Sequence, residues 1–128
     1  MRPDRRKLKR AQLIQRVRTV ERMQSAVAAS DAEATRARLS GVAERTRSLA
    51  EHYAQRSGDM VAADLRSGKT MSDQLQKLSE LSERQAEEAE LLSQTKREDF
   101  AQSDMRLRKA AEGTRDLAKL VIAGIENG

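Results

Sequence analysis

The apolar residues of this chain recur at alternating steps of three and four positions over most of its length. The first run also contains two polar members: Leu13, Val17, Val20, Gln24, Val27, Asp31 and Ala34. Side chains at this spacing share a narrow stripe on a helix, which is typical of a coiled-coil seam and not of the wide apolar face of a globular helix. The sequence therefore predicts long helices that pack along narrow seams.

Further runs with the same spacing follow along the chain. After a shift of one residue, the first half continues with Leu39, Val42, Thr46, Leu49 and Tyr53. The second half carries Met71, Leu75, Leu78, Gln85, Ala89 and Leu92, and then Phe100, Leu107, Ala111, Thr114, Val121 and Ile125. The pattern is lost near Gly58 and Gly68. We therefore predict a first helix at about 5–57, a connector at about 58–69 and a second helix at about 70–125.

Composition and charge favour a hairpin of these two helices. With one Phe, one Tyr, no Trp and 35% charged residues, 128 residues cannot build a thick core. Folding the second helix back pairs residues whose numbers sum to roughly 128, which brings the glutamates of "ELSERQAEEAE" at 80–90 towards Arg36, Arg38, Arg45 and Arg47. The predicted fold class is all-α, an antiparallel coiled-coil hairpin in a single domain, 1–128. One continuous helix in a parallel dimer is the alternative.

The tripeptide Gly68-Lys69-Thr70 ends like a nucleotide-binding P-loop. That loop needs a glycine five positions before its second one, where this chain has Ala63, and it needs a preceding buried strand. We interpret the stretch as a corner, in which Gly68 ends the connector and Thr70 with Asp73 caps the second helix.

Nothing in the sequence indicates catalysis, a cofactor or a metal. The chain has no cysteine, and its single histidine, His52, lies beside the predicted seam without the pocket that a catalytic base requires. The basic N-terminal stretch never reaches an apolar run of signal-peptide length, and no stretch is long enough to span a bilayer. We expect a soluble cytoplasmic protein that is not an enzyme.

Basic residues crowd the open end of the predicted hairpin. The candidate partner-binding cations are Arg5, Arg6, Arg10, Arg106, Arg108 and Lys109. Concentrated like charge steers association with surfaces of opposite charge, such as an acidic protein, a nucleic acid or an anionic membrane. Nucleic acid is the weaker interpretation, because no aromatic residues are interleaved with the cations to stack on bases. Ordinary solvated helix faces are the other alternative.

The segments "RVRTVERMQSAVAASDAEATRARL" at 16–39 and "REDFAQSDMRLRKAAEGTRDLAKL" at 97–120, in a short basic chain without cysteine, resemble the FliJ family of the bacterial flagellar export apparatus. The resemblance covers most of the chain through pattern and composition. It implies a cytoplasmic stalk, similar to the γ subunit of rotary ATPases, whose paired terminal helices enter the hexameric export ATPase. The cations at 5, 6, 10, 106, 108 and 109 would make that contact.

The resemblance also implies an export gate membrane protein and export chaperones as partners, bound by exposed residues of the rod. Leu49 and Tyr53 are our candidates for that surface. The protein would be cytoplasmic, peripheral to the membrane-embedded export apparatus, and would have no small-molecule substrate. Two alternatives remain from the residues themselves: a basic coiled-coil nucleic-acid-binding protein, and a self-associating scaffold or export-chaperone-like protein.

Overall fold

The computed structural model describes residues 3–56 and 62–127, which form two helices: α1 (Pro3–Arg56) and α2 (Ala62–Asn127). The two helices pack against each other, so the predicted all-α helical hairpin is confirmed. Side-chain pairs that cross between them join Arg22 to Asp104 and Ser25 to Ser103. Their residue numbers sum to 126 and 128, close to the predicted 128, and a constant sum is the mark of antiparallel packing.

The start of α1 has the local chemistry of a helix N-terminus. Pro3 occupies the first position, where its missing N–H costs no hydrogen bond and its fixed φ suits the helix. Asp4 follows in the first turn and Arg56 lies in the last turn, so both charges complement the helix dipole. Favourable termini support a helix whose own amphipathicity is weak.

Packing divides the chain into two compact units. The terminal unit combines residues 1–30 with 95–128, of which the structure describes 3–30 and 95–127. The central unit consists of residues 31–94. Each unit contains a stretch of α1 packed on a stretch of α2.

The seam of the central unit is built from small side chains. Its buried members are alanines and hydroxyl residues: Ala32, Ala43, Thr46, Ala50, Ser79, Ser82, Ala89 and Ser93. Small residues let two helix backbones approach closely, and each buried hydroxyl needs a hydrogen-bond partner. Thr46 donates to the carbonyl of Val42 at 2.7 Å, and Ser93 donates to Glu33 Oε2 at 3.0 Å. In the described residues no buried side-chain oxygen or nitrogen lacks a partner.

The seam of the terminal unit is more polar on α1 than on α2. On α1 the half-buried positions that repeat at steps of three and four are Ala11, Gln15, Arg18, Arg22, Ser25 and Ala29. On α2 they include Phe100, Leu107, Thr114 and Val121, with Ser103 buried among them. These four half-buried α2 residues belong to the predicted run that begins at Phe100, so the spacing located this stretch of seam correctly.

The predicted seam at residues 13–34 is wrong in phase. Its aliphatic members Leu13, Val17, Val20 and Val27 are all more than half exposed. Three of them precede the real seam positions Gln15, Arg22 and Ala29 by two residues, which is about 200° around a helix. They therefore lie on the opposite side of α1 from α2, and the one-residue shift postulated before Leu39 is not needed.

The later runs were correct in part. Thr46 is buried, and Leu39, Val42, Tyr53 and Leu75 are half-buried. Leu49, Met71, Leu78 and Leu92 are exposed, because each lies one position before a seam residue. In α2, Ala89 is buried and Ile125 is exposed. The periodicity of seven was correct, whereas the choice of the largest aliphatic residues as seam members was not.

The predicted corner at Gly68 and Thr70 is also wrong. Helix α2 begins at Ala62, eight residues before the predicted start, so Gly68 and Thr70 lie inside it. The Thr70 hydroxyl donates to the carbonyl of Arg66 at 2.9 Å, the bond of a threonine within a helix and not of an N-cap. Residues 62–69 of the predicted connector are therefore helical, and its first part, 58–61 with Gly58, lies outside the described residues.

Candidate interaction surface

Charge is distributed unequally between the two units. Residues 1–30 and 95–128 contain 16 Lys and Arg against 8 Asp and Glu, a net charge of +8. Residues 31–94 contain 9 against 12, a net charge of −3. The excess comes mainly from α1, since between residues 5 and 30 the sequence has a single carboxylate, Glu21. The basic end predicted from the sequence therefore coincides with one packing unit.

A cluster of four side chains holds the helices of the terminal unit together. Arg22 Nε donates to Asp104 Oδ1 at 2.7 Å, and Arg108 Nη2 contacts Asp104 Oδ2 at 3.0 Å. The Arg22 guanidinium also lies over the ring of Phe100, 5.1 Å from its centroid, in a cation–π arrangement. The hydrogen bond from Arg22, with the added charge of Arg108, holds the pKa of Asp104 below its ordinary value. Arg22 therefore stabilises the seam directly, and Arg108 supports the carboxylate that Arg22 binds.

The other predicted partner-binding cations are not tied down in this way. Arg5, Arg6, Arg10, Arg106 and Lys109 are all exposed in the terminal unit. In the described part of the chain, none of the five has a carboxylate within salt-bridge distance. Arg108, the sixth candidate, is exposed but paired with Asp104. Five cations therefore point into solvent, where a partner could reach them.

Part of this basic surface is concave. Arg108, Lys109 and Arg115 line an open groove of about 630 Å³ together with Gln15 and Glu112. Arg108 is paired with Asp104, so Lys109 and Arg115 against Glu112 leave the groove with a small positive excess. Met105, Ala111 and Ala118 also line the groove, which is open to solvent with a mixed apolar and basic wall.

The two remaining candidates, Leu49 and Tyr53, lie in the central unit. Leu49 is 50% exposed, so it is available to a partner. Tyr53 is half-buried at a seam position and makes an edge-to-face contact with His52, with ring centroids 6.0 Å apart. The structure thus separates the candidates into two groups: six cations in one unit, and these two residues in the other.

The structure also reveals an apolar surface that the sequence reasoning assigned to the seam. Six aliphatic residues on α1 are 46–61% exposed: Leu13, Ile14, Val17, Val20, Met23 and Val27. Most of them follow one another at steps of three or four, so they form a continuous stripe, here called the outer stripe. The sequence contains a signal for this surface. Small and polar residues repeat with the same heptad spacing two positions after Leu13, Val20 and Val27, and these residues form the actual seam.

Neither a metal site nor a membrane-spanning helix is present among the described residues. No group of three or more His, Asp or Glu side chains is placed to hold a metal ion in residues 3–56 and 62–127. Over the same ranges, neither helix has a stretch that is long and apolar enough to cross a bilayer. Compared with known proteins, the chain matches no family model, no curated protein and no solved structure.

Proposed function

We propose that this chain is a non-enzymatic coiled-coil component of a flagellar or type III protein export apparatus, and that its terminal unit binds and stimulates the hexameric export ATPase. The observation that carries the proposal is the set of five exposed, unpaired cations on a unit of net charge +8. The resemblance to the FliJ family supplies the identity of the partner.

Excess charge of one sign is a cost to the folded chain. Like charges repel within a compact unit, and they lower its stability unless counter-ions or a partner neutralise them. Arg22 and Arg108 show how this chain uses cations for stability: Arg22 pairs with Asp104 across the seam, and Arg108 pairs with the same carboxylate from one turn along α2. Arg5, Arg6, Arg10, Arg106 and Lys109 do not have such a role, so we assign them to an acidic surface of the ATPase.

The central unit would serve the other partners. Leu49, with Tyr53 one turn later, would contribute to the surface for the export gate protein or for export chaperones. In this proposal the protein acts in the cytoplasm at the periphery of the membrane-embedded apparatus. It links the ATPase to the gate and turns over no small-molecule substrate.

The test compares the rate of ATP hydrolysis by the purified cognate export ATPase with and without the full chain. A variant with Arg5, Arg6, Arg10, Arg106 and Lys109 changed to Ser loses five exposed positive charges from the terminal unit. The matched control removes five exposed positive charges from the central unit by changing Arg38, Arg45, Arg47, Lys77 and Arg84 to Ser. Both variants have the same net charge, so only the location of the charge differs.

We expect the wild type and the control variant to stimulate hydrolysis and the terminal-unit variant to lose the effect. Equal stimulation by all three proteins, or none by the wild type, contradicts the proposal. Binding of the wild type to duplex DNA that weakens steeply with salt, without any effect on the ATPase, would support the nucleic-acid-binding alternative instead.

A further inference from the structure

Helix α1 carries two seams on opposite sides. The inner one, which includes Arg22 and Ser25, packs on α2 through the contacts to Asp104 and Ser103. The outer stripe repeats the heptad spacing on the solvent side, with Leu13, Val17 and Val20 each about half exposed or more. A helix with seams on two sides is built to pack between two other elements, and the hairpin supplies one of them.

The shape of the outer stripe suits a helix better than a flat surface. Leu13, Val17, Val20 and Val27 follow one another at steps of four, three and seven residues, with Ile14 and Met23 beside them, so the stripe is narrow and about four turns long. Helix-in-groove recognition uses anchors at this spacing. Binding to a bilayer favours a wider apolar face with bulky Trp, Phe or Leu and with cations on the opposite side.

Cations border the stripe on the same side of α1. Lys9 and Arg10 precede Leu13 by four and three residues, and Arg16 follows it by three, so all three are its neighbours on the helix surface. They are exposed, and in the described residues none has a carboxylate within salt-bridge distance. Glu21, the carboxylate nearest to Val17 in sequence, already accepts from Arg18 at 2.9 Å.

We propose that the outer stripe of α1 binds an amphipathic helix of a partner protein whose apolar residues are flanked by carboxylates. The aliphatic side chains of the stripe would interdigitate with the partner's apolar face, and Lys9 and Arg16 would pair with its acidic flanks. Pairing with a second copy of α1 in parallel would place the same cations against each other, which is unfavourable. The inference does not depend on the identity of the partner of the terminal unit.

The test uses two synthetic peptides of opposite charge. The acidic probe has three heptads of Glu-Ile-Ala-Ala-Leu-Glu-Lys, and the basic probe has three heptads of Lys-Ile-Ala-Ala-Leu-Lys-Glu, with the same apolar residues. Each is labelled with a fluorophore and titrated with the full chain, and the anisotropy is measured at low and high salt. The stripe variant V17S/V20S/V27S is compared with L78S/L81S/L92S, which removes three aliphatic side chains from the central unit that are also about half exposed.

We expect the acidic probe to bind and the basic probe not to bind. The stripe variant should weaken binding of the acidic probe at least about tenfold, the central-unit variant should leave it unchanged, and salt should weaken it in all cases. Circular dichroism should show that both variants keep the helical content of the wild type, because substitutions at exposed positions change stability little.

Three results would overturn the proposal. One is no binding of the acidic probe up to about 1 mM. Another is equal loss of binding in both variants, which would place the site elsewhere. The last is a dimer in sedimentation experiments that V17S/V20S/V27S abolishes and that the acidic probe does not disrupt, because the stripe would then be an interface between copies.

Discussion

Ser93 donates a hydrogen bond to Glu33 Oε2 across the central unit, at 3.0 Å, and its side chain is completely buried. No other described residue has a side chain buried to this degree. A serine at the most buried position means that the two helices approach closely there, because a larger side chain would hold them apart. Glu33 Oε1 in turn lies 2.6 Å from Arg36 Nη2, and Arg36 Nε lies 3.6 Å from Glu90 Oε2. The seam of small residues is therefore bordered by charged side chains.

Replacing Ser93 by Leu should therefore destabilise the protein in spite of the gain in hydrophobicity. Forcing a larger side chain into a closely packed site costs about 1–3 kcal/mol. The control is Ser48→Leu, at an exposed position of the same unit, which should change the free energy of unfolding by less than about 0.5 kcal/mol. Urea unfolding followed by circular dichroism measures both. A stabilising Ser93→Leu would mean that the seam has room for large residues.

The outward placement of Val20 leads to a second prediction. Val20→Ser should leave the free energy of unfolding within about 0.5 kcal/mol of the wild type, because the side chain is already more than half exposed. Leu107→Ser, at a half-buried seam position of the same unit, should cost about 1–2 kcal/mol. If Val20→Ser destabilised the protein more than Leu107→Ser, this would contradict the structure, because the aliphatic run that contains Val20 would then pack against α2.

Both predictions concern which residues form the seam, and the sequence predicted these only in part. The heptad period was readable, and it correctly identified two long helices, their antiparallel pairing, and seam members such as Thr46 and Phe100. Hydrophobicity did not show which side of the first helix faces the second. Buried residues are mostly apolar, but large aliphatic side chains also occur on protein surfaces. A seam of Ala, Ser and Arg is stabilised by close packing and hydrogen bonds, and hydropathy does not detect these.

The start of α2 was missed for a related reason. Glycine lowers helix propensity by about 1 kcal/mol, which makes Gly68 look like a break when the sequence is considered locally. In the structure Gly68 is buried inside α2, where a residue without a side chain is compatible with close approach. Small residues recur every seven positions at Ser72, Ser79, Ala86 and Ser93. This repeat would have predicted that the second helix starts before Thr70.

Two other helical glycines, Gly41 and Gly113, allow a prediction of increased stability. Gly41 and Gly113 lie within helices without positive φ, and a Cβ added at either position would meet no atom within 4 Å. Gly41→Ala and Gly113→Ala should each raise the free energy of unfolding by about 1 kcal/mol, since alanine is the better helix former. Thermal unfolding of the single and double variants is the measurement. A loss of stability in either single variant would indicate that its glycine is required by a neighbouring chain segment.

The pairing of Asp104 with Arg22 and Arg108 makes stability depend on pH. Because the folded-state pKa of Asp104 lies below the ordinary value of 3.8, its contribution is present above that value and is lost as the pH falls through the lowered pKa. The difference in urea midpoint between the wild type and Asp104→Asn should therefore be present at pH 7 and should close in strong acid. The difference should shrink when Arg22→Gln is added to both proteins. An equal difference in urea midpoint at neutral and acidic pH would contradict a stabilising role for ionised Asp104.

The arrangement of the two helices in the terminal unit underlies both proposed binding surfaces, and cross-linking tests it most directly. The chain has no cysteine of its own, and the hydroxyl oxygens of Ser25 and Ser103 are 2.8 Å apart, so the pair S25C/S103C is placed to form a disulfide. The control pair V27C/A101C has the same sum of residue numbers but uses two exposed positions. Mild oxidation followed by mass spectrometry should detect an intramolecular disulfide in S25C/S103C and none in V27C/A101C. Efficient closure of V27C/A101C with no closure of S25C/S103C would contradict the account, because the outer stripe would then face the second helix.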